Sequence, residues 1–363
     1  MEDHLNVAAS LLGSDLYPLN IHGWTEINSG IRAGQGGTFA VVGLRFAGSM
    51  KVPKITVVGS YATGLTMKVE RLPSTGETLL GMGYRVDYGG KGSNQAVGCA
   101  RLGATVNFVA KTGKDAFGDM ALELYRDEGV SVEYVTRTPD APTGVGFIVV
   151  EKASGRNCIV LDPGANELLS AGDVGRHSGA FDGAKVVLTQ LEIPVAAAEA
   201  AIAAGRRCGA VTILNPAPVR PLPASLLKMV DVLTPNETEA KVLVGRTPNQ
   251  SSEPEELARE LVGRGVKAVV MTLGEKGALI VTESSAVHVP AISVEAVDTT
   301  GAGDAFNAGL ATALAYGSPL EDAVRFAVIA GGLAVRKEGV IPSLPLRREV
   351  LGHSERGGTE SAG

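Results

Sequence analysis

The stretch 298–309 constrains the fold and the chemistry of this chain more than any other segment. A strand-like apolar run, 294–297, stops before it, and an apolar helical pattern begins at Phe306. The small residues in between let the backbone come close to a ligand, and a helix N-terminus attracts negative charge through its unpaired N–H groups and its dipole. The pattern therefore predicts a site for a phosphate or for developing negative charge.

Asp304 lies at the entrance of this predicted helix. A carboxylate beside an anion site is poorly placed unless it accepts a proton from a hydroxyl that then attacks a phosphate. In that interpretation Gly301, Ala302 and Gly303 supply backbone N–H groups to the transferring phosphoryl group. The alternative is that Asp304 only caps the helix in a glycine-rich turn, and the segment alone leaves both interpretations open.

Apolar strands alternate with amphipathic helical patterns along most of the chain. We predict strands at 55–59, 186–188, 211–214, 230–233 and 269–272, and helices that include 196–204 and 255–262. This alternation predicts an α/β fold with a mostly parallel central sheet and helices on both faces. Ligands of such sheets bind outside the carboxyl ends of the strands, where the polar clusters of this sequence fall.

Two further regions predict a lid. The segments near 78–88 and 144–160 are typical of strands, and no crossover helix separates the strands of the second segment. We expect them to form a small antiparallel β lid over the site, which would exclude water from a reaction that must avoid ATP hydrolysis.

Composition excludes several classes of function. The formal net charge is −6 and no Lys/Arg cluster is present, which argues against nucleic-acid binding, and no apolar run reaches membrane-spanning length. The three cysteines, Cys99, Cys158 and Cys208, show neither CxxC spacing nor a disulfide framework. They suit a reducing compartment, so we expect a cytoplasmic protein.

The ends of the chain differ from its middle. Residues 1–49 are glycine-rich and patternless, and they resemble neither a signal peptide nor a transit peptide. We predict that they form an N-terminal extension outside the fold, that Met50 is the natural start, and that the domain spans 50–351. A disordered tail is expected at 352–363.

A second motif, 89–96, precedes the first one by about two hundred residues and is followed by related stretches at 101–104 and 113–118. At these residues and at 298–309 the chain resembles the ribokinase family of ATP-dependent sugar kinases, the PfkB group. The resemblance covers roughly residues 54 to 350. It implies a ribokinase-like fold and transfer of the γ-phosphoryl of ATP to a primary sugar hydroxyl, with ribose or a related pentose as the default acceptor.

The resemblance also implies roles for individual residues. Those expected to bind the sugar are Gly90, Lys91, Asn94, Glu192 and the base Asp304. Those expected to bind the nucleotide are Asn215, Thr272, Leu273, Gly274, Glu275, Lys276, Gly277 and Gly303. From the residues alone, the glycines around Lys91 and Asn94 indicate a tight loop or a helix start. Glu192 is equally typical of a solvated side chain, and 272–277 of a hairpin turn.

Cation sites are implied in the same way. Glu239, in an Asn-x-x-Glu pattern with Asn236, is expected to act on Mg²⁺ through water, although the spacing also suits a helix cap. A potassium site is expected from Asp298, Thr300, Ala334, Lys337, Gly339 and Ser343. Lids of this family often pair between subunits, so we expect a homodimer.

The sugar half of the site departs from the family pattern. Ribokinases carry an Asn and an Asp where this chain has Ala62 and Gly64. Either ribose is held by other groups, or the acceptor is a ketohexose or a nucleoside. A non-catalytic sugar- or nucleotide-binding regulator is the alternative from another class. The chain has no G-x-x-x-x-G-K-[ST] P-loop, and no G-x-G-x-x-G follows its first strand, which argues against a dehydrogenase.

Overall fold

The computed structural model describes residues 51–360, so the predicted extension 1–49 and Met50 lie outside the described residues. The strands are β1 (Lys54–Val58), β2 (Ala62–Val69), β3 (Met82–Gly89), β4 (Thr105–Gly113), β5 (Val130–Ser131), β6 (Val135–Thr138), β7 (Gly144–Glu151), β8 (Asn157–Asp162), β9 (Ala184–Thr189), β10 (Val211–Leu214), β11 (Val232–Leu233), β12 (Ala268–Thr272), β13 (Ala278–Thr282) and β14 (Ala286–Val289).

The helices are α1 (Lys91–Arg101), α2 (Ala116–Asp127), α3 (Ala171–Arg176), α4 (Val195–Arg207), α5 (Ala224–Leu227), α6 (Glu237–Leu243), α7 (Pro254–Gly263), α8 (Ala302–Ala315), α9 (Leu320–Ala334), α10 (Val340–Ser343) and α11 (Arg347–Glu360). None of these helices is long and apolar enough to span a bilayer.

The central sheet has the order β14-β13-β12-β11-β10-β9-β1-β4-β5, with β6 also paired to β4. Its strands are parallel from β12 to β5, and β13 and β14 continue the edge as antiparallel strands. Because successive side chains of a strand point to opposite faces, Val57 packs into a core with α1, α8 and α9, while Val58 packs into a second core with α4 and α7. The predicted α/β architecture with two covered faces is confirmed.

A separate four-stranded sheet, which we call the lid, has the order β3-β2-β7-β8. Its two outer pairs are antiparallel and its central pair, β2 with β7, is parallel. The lid contains one strand that the sequence analysis did not predict, Ala62–Val69, and its β3 begins at Met82 rather than near residue 78.

The structure corrects four local predictions. The run 294–297 forms no strand, since it has no strand partner and crosses beside α9 with the Val297 N–H donating to the Val335 carbonyl at 2.7 Å. Helix α8 begins at Ala302, four residues before Phe306, because Gly301 takes the left-handed conformation that precedes it. Helix α1 begins at Lys91, so Lys91 and Asn94 lie in its first turn and not in a loop.

The fourth correction concerns the tail. Residues 352–360 continue helix α11, whereas the sequence analysis expected disorder from residue 352. The buried side chain of Val350 anchors the first turn of this helix. Once a turn is fixed, each added residue gains a hydrogen bond, which extends the helix through a polar and glycine-containing sequence.

Helices α1 and α8 approach each other closely through small residues. A Cβ placed on Gly98 would lie 2.6 Å from the Cβ of Ala308, which is closer than real Cβ atoms come. Gly98 follows Asn94 by one helical turn, and Ala308 follows Asp304 by one turn. The absence of a side chain at Gly98 therefore sets the separation of the two helix N-termini.

We predict that Gly98→Ala lowers the free energy of unfolding by about 1–3 kcal/mol, because the added methyl group overpacks the contact between α1 and α8. The matched control is Gly263→Ala in α7, where an added Cβ meets no atom within 4 Å. That variant should gain up to about 1 kcal/mol from helix propensity. Urea denaturation measures both variants, and equal or greater stability of Gly98→Ala would contradict the close contact.

Candidate active site

Asp304 is buried in the first turn of α8, with 6% of the residue exposed. Its two carboxylate oxygens accept hydrogen bonds from two successive residues of α1. The Asn94 Nδ2 donates to Oδ2 at 2.8 Å, and the Gln95 Nε2 donates to Oδ1 at 2.9 Å. Because a buried charge is costly unless it is hydrogen-bonded, these contacts account for the position of the carboxylate between the two helices.

The Gln95 amide belongs to a buried network that sequence reasoning missed. The Gln95 Nε2 also donates to the Asn215 Oδ1 at 3.1 Å, and the Gln95 Oε1 accepts from the Gln190 Nε2 at 2.5 Å. Gln95 and Gln190 have no exposed surface. The available signal was the position of both amides beside predicted ligand-binding segments, at a helix start and a strand end.

Asn215, a predicted nucleotide-binding residue, belongs to the same buried network. Its side chain is buried, accepts from Gln95 and donates to the Thr234 carbonyl at 3.1 Å. Asn215 does not line the cavity described next, and its role towards the nucleotide stays a prediction.

Glu192 organises the N-terminus of α1. It accepts hydrogen bonds from the Ser60 Oγ at 2.6 Å and from the Lys91 N–H at 2.8 Å. Gly90, the residue before the helix, has a φ of 87°, and a Cβ there would come within 2.7 Å of the Tyr61 backbone. Only glycine fits this approach, so the predicted sugar-binding residues Gly90, Lys91 and Glu192 lie together.

Lys91 faces the same carboxylates. The negative charge of Asp304 raises the pKa of the Lys91 ammonium above its usual value against the opposing effect of burial, and Glu192 and Glu239 add to it. The ammonium is therefore positively charged at neutral pH and lies near enough to Asp304, Glu192 and Glu239 to interact with their charges. The geometry brings together all of the predicted sugar-binding residues: Gly90, Lys91, Asn94, Glu192 and Asp304.

A cavity of about 690 Å³ opens beside the N-terminus of α8. The predicted residues that line it are Thr272, Gly274, Glu275, Gly277, Ala302 and Gly303, joined by Asn236, Thr299 and Phe306. Its apolar wall includes Ile292, together with Val294 and Ala296 from the run 294–297 that the sequence predicts to be a strand. Leu273 and Lys276 belong to the same turn but do not line the cavity. A volume of this size suits a small organic ligand, with the 299–303 turn at one end.

The turn at 274–276 has the form that the sequence indicated, a short 3₁₀ turn joining the antiparallel strands β12 and β13. Gly277 has a φ of 98°, and a Cβ there would meet the Val289 carbonyl at 2.1 Å. This backbone therefore requires glycine, and the turn exposes main-chain atoms to the cavity.

Glu239 and Asn236 form the helix cap that the sequence left as an alternative. The Asn236 Oδ1 accepts from the Glu239 N–H at 2.8 Å, and the Glu239 Oε2 accepts from the Asn236 N–H at 2.8 Å. Burial raises the pKa of Glu239. One carboxylate oxygen of Glu239 is engaged by the cap, and its role towards Mg²⁺ stays a prediction.

The predicted potassium residues lie on two adjacent segments. The Asp298 carboxylate accepts from the Thr300 N–H at 2.9 Å and from the Gly339 N–H at 3.1 Å. Although desolvation opposes the change, hydrogen bonds from Thr300 and Gly339 lower the pKa of Asp298. Ala334 is the last residue of α9, and Lys337 lies between α9 and Gly339. The buried Ser343 hydroxyl donates to the Val340 carbonyl at 2.8 Å.

Over the described range 51–360, no group of three or more His, Cys, Asp or Glu side chains could hold a metal ion. Each oxygen of the Asp298 carboxylate accepts a backbone N–H, and a potassium ion at this position stays a prediction.

Comparison with known proteins identifies the class. A family model described as pfkB family carbohydrate kinase matches residues 52–347. The chain is 37% identical over 297 residues to a ribokinase of Haemophilus influenzae, covering 82% of this chain and 97% of the relative. It is 36% identical to a deoxyribokinase of Salmonella typhi, covering 80% of this chain and 95% of the relative.

Solved structures of similar fold support the same family. The structure of Arabidopsis thaliana ribokinase complexed with ribose and ATP superimposes with a TM-score of 0.76 at 34% identity, covering 84% of this chain and 99% of that chain. This chain therefore belongs to the pfkB family of carbohydrate kinases, in its ribokinase-like branch.

We predict that Gln95→Leu lowers the free energy of unfolding by about 2–5 kcal/mol, since Asp304, Asn215 and Gln190 each lose a buried hydrogen-bond partner. The control is Gln250→Leu, an exposed position, where the change should stay within about 0.5 kcal/mol. Urea denaturation measures both. A free energy of unfolding for Gln95→Leu equal to that of the wild type would show that the amide network does not stabilise the fold.

Proposed function

We propose that this kinase transfers the γ-phosphoryl of ATP to the primary hydroxyl of ribose or a related pentose. The observation that carries the proposal is the Asp304 carboxylate, held by Asn94 and Gln95 at the point where the N-terminus of α8 meets the cavity. The similarity to ribokinases and to a ribokinase structure with ribose and ATP supports this acceptor.

The residues divide the chemistry among them. Asp304 takes the proton from the attacking sugar hydroxyl. The backbone of Gly301, Ala302 and Gly303, at the positive end of the α8 dipole, stabilises charge on the transferring phosphoryl group. The Lys91 ammonium lies close to the same carboxylate and offsets its charge when the sugar is absent. Positioning and charge stabilisation are what phosphoryl transfer needs most.

The cavity supports ATP as the donor. Its apolar wall, with Ile292 and Val294, suits a base, and the turn at 299–303 lies where phosphates would be attracted. We propose that Mg²⁺ accompanies the phosphates and that Glu239 contacts it through water. We also propose a potassium ion at Asp298, whose charge would steady the turn that leads into α8.

A ketohexose or a nucleoside is the alternative acceptor, because Ala62 and Gly64 leave out two polar side chains of the ribokinase pattern. The similarity to a deoxyribokinase keeps 2-deoxyribose among the candidates. A non-catalytic regulator is the remaining alternative. We place the activity in the cytoplasm, in keeping with the free thiols of Cys99, Cys158 and Cys208.

We propose that the protein is a homodimer that pairs through the lid. One face of the lid carries Met67, Tyr84, Val86, Phe147 and Val160, which are between 37% and 64% exposed. The cross-strand register places them together, with Leu65 opposite both Val86 and Phe147. An apolar patch of this extent is typical of a protein interface, and a second copy supplies the same patch.

We predict that Asp304→Asn lowers kcat by about 10²–10⁴-fold, because an amide cannot accept the proton. The ATP dissociation constant should change by less than about threefold, because the lost interaction is made in the transition state and does not contribute to ground-state binding of ATP. ADP release gives kcat and calorimetry gives ATP affinity, with Asp127→Asn, exposed at the end of α2, as the control. Retained turnover in Asp304→Asn would remove Asp304 from the role of base.

We predict that Phe147→Lys converts the dimer into a monomer, because it places a charge in the apolar face of the lid. Val52→Lys is the matched control, since Val52 is 60% exposed and lies outside the lid. Analytical ultracentrifugation should show dimers for the wild type and the control only. A monomeric wild type, or a dimeric Phe147→Lys variant, would overturn the proposed interface.

A further inference from the structure

The lid carries a carboxylate directly opposite the glycine that departs from the family pattern. In the β2–β3 pair, Gly64 is the cross-strand partner of Asp87. Directly opposite residues of an antiparallel pair project their side chains from the same face of the sheet. A Cβ placed on Gly64 would lie 3.6 Å from the Asp87 Cβ, so Gly64 leaves open the space beside this carboxylate.

Asp87 lies on the face of the lid that is turned towards the site. Arg85, two residues earlier on the same face, reaches the Glu338 carboxylate at 3.4 Å. Lys68 of β2 approaches the same carboxylate at 3.6 Å. Glu338 precedes Gly339, whose N–H binds Asp298 at the turn leading into α8. The exposed apolar residues that we assign to the dimer interface occupy the opposite face.

The Asp87 carboxylate uses only one of its two oxygens in hydrogen bonds to the described residues. The Asp87 Oδ2 accepts from the Arg85 Nε at 2.6 Å and from the Thr66 Oγ1 at 3.3 Å, and no hydrogen bond to Oδ1 occurs among residues 51–360. The side chain is 31% exposed. An ionised carboxylate only accepts hydrogen bonds, and sugar hydroxyls are suitable donors. Arg85 fixes the orientation of Asp87 without blocking its second oxygen.

The strand that bears Asp87 continues directly into the sugar-binding residues. Gly89 follows Asp87 on the same face, about 7 Å further along β3, and Gly90 and Lys91 come next. A small polyol at the N-terminus of α1 would therefore lie between Asp304 on one side and Asp87 of the lid on the other.

We infer that Asp87 binds a hydroxyl of the acceptor other than the one that is phosphorylated, and so determines which sugar this kinase accepts. The carboxylate reaches the acceptor from β3, in the space that Gly64 leaves empty. The inference rests on the proposed sugar-kinase function and adds a specificity-determining residue to it. Because Asp87 does not touch the reacting oxygen, its contribution lies in acceptor binding and discrimination.

The test begins with Asp87→Ala, assayed by ADP release with Mg-ATP and ribose, 2-deoxyribose and 3-deoxyribose. The KM for ribose should rise roughly tenfold or more, while the KM for ATP stays within about twofold, since a polar group that binds a hydroxyl is lost from one substrate only. The ratio of kcat/KM for ribose to kcat/KM for the deoxy sugar that lacks the contacted hydroxyl should fall by a similar factor.

Two further variants separate contact with the sugar from support of the lid. Arg85→Ala breaks the same ion pair but keeps the carboxylate, so its KM for ribose should stay within about threefold of the wild-type value. Gly64→Asp combined with Asp87→Ala moves the carboxylate across the strand pair. A Cβ at Gly64 makes only ordinary contacts, at 3.6 Å or more, so this double variant should recover most of the lost affinity for ribose.

The outcomes distinguish the two levels of the proposal. An unchanged KM for ribose in Asp87→Ala overturns the role of Asp87 and leaves the kinase function intact. An equal rise of KM in Arg85→Ala, with no recovery in the double variant, also overturns it, because the effect then comes from the lid. A wild-type protein that phosphorylates no sugar of the panel contradicts the proposed function itself.

Discussion

The structure depends on one buried carboxylate. Asp304 lies between two helix N-termini, and each of its oxygens is held by an amide of α1. Burying this charge is tolerable only while both amides are in place, so the carboxylate fixes the separation and register of α1 and α8. The first turns of both helices, which carry Lys91 and the residues after Gly301, take their relative positions from this contact.

The same constraint explains the glycines around the site. Gly98 lets α1 approach α8, Gly90 lets the start of α1 pass the Tyr61 backbone, and Gly301 turns the chain into α8. Glu192 then completes the N-terminus of α1 by accepting the Lys91 N–H. The residues predicted to bind the sugar and the glycine turn that precedes α8 are thus held together by the packing of α1 against α8.

The sequence predicts the parts of the structure that depend on local pattern. The strand Val211–Leu214 has the predicted bounds. The turn before Asp304 is recognisable in the sequence because it is rich in glycine. Pairing decides the rest. The run 294–297 has the alternation of a strand but no partner, and the partners of Gln95 and Asn215 come from distant elements. Strand β2, with Gly64 inside it, forms because two lid strands flank it.

The central claim is that this arrangement phosphorylates a sugar at a primary hydroxyl. The most direct measurement is ³¹P NMR of the products formed by the purified full chain from Mg-ATP and ribose in potassium buffer. The account predicts ADP and a ribose phosphomonoester in equal amounts, with phosphate on the primary oxygen. ADP accompanied only by inorganic phosphate, or a phosphate on a ring hydroxyl, would contradict the geometry assigned to Asp304.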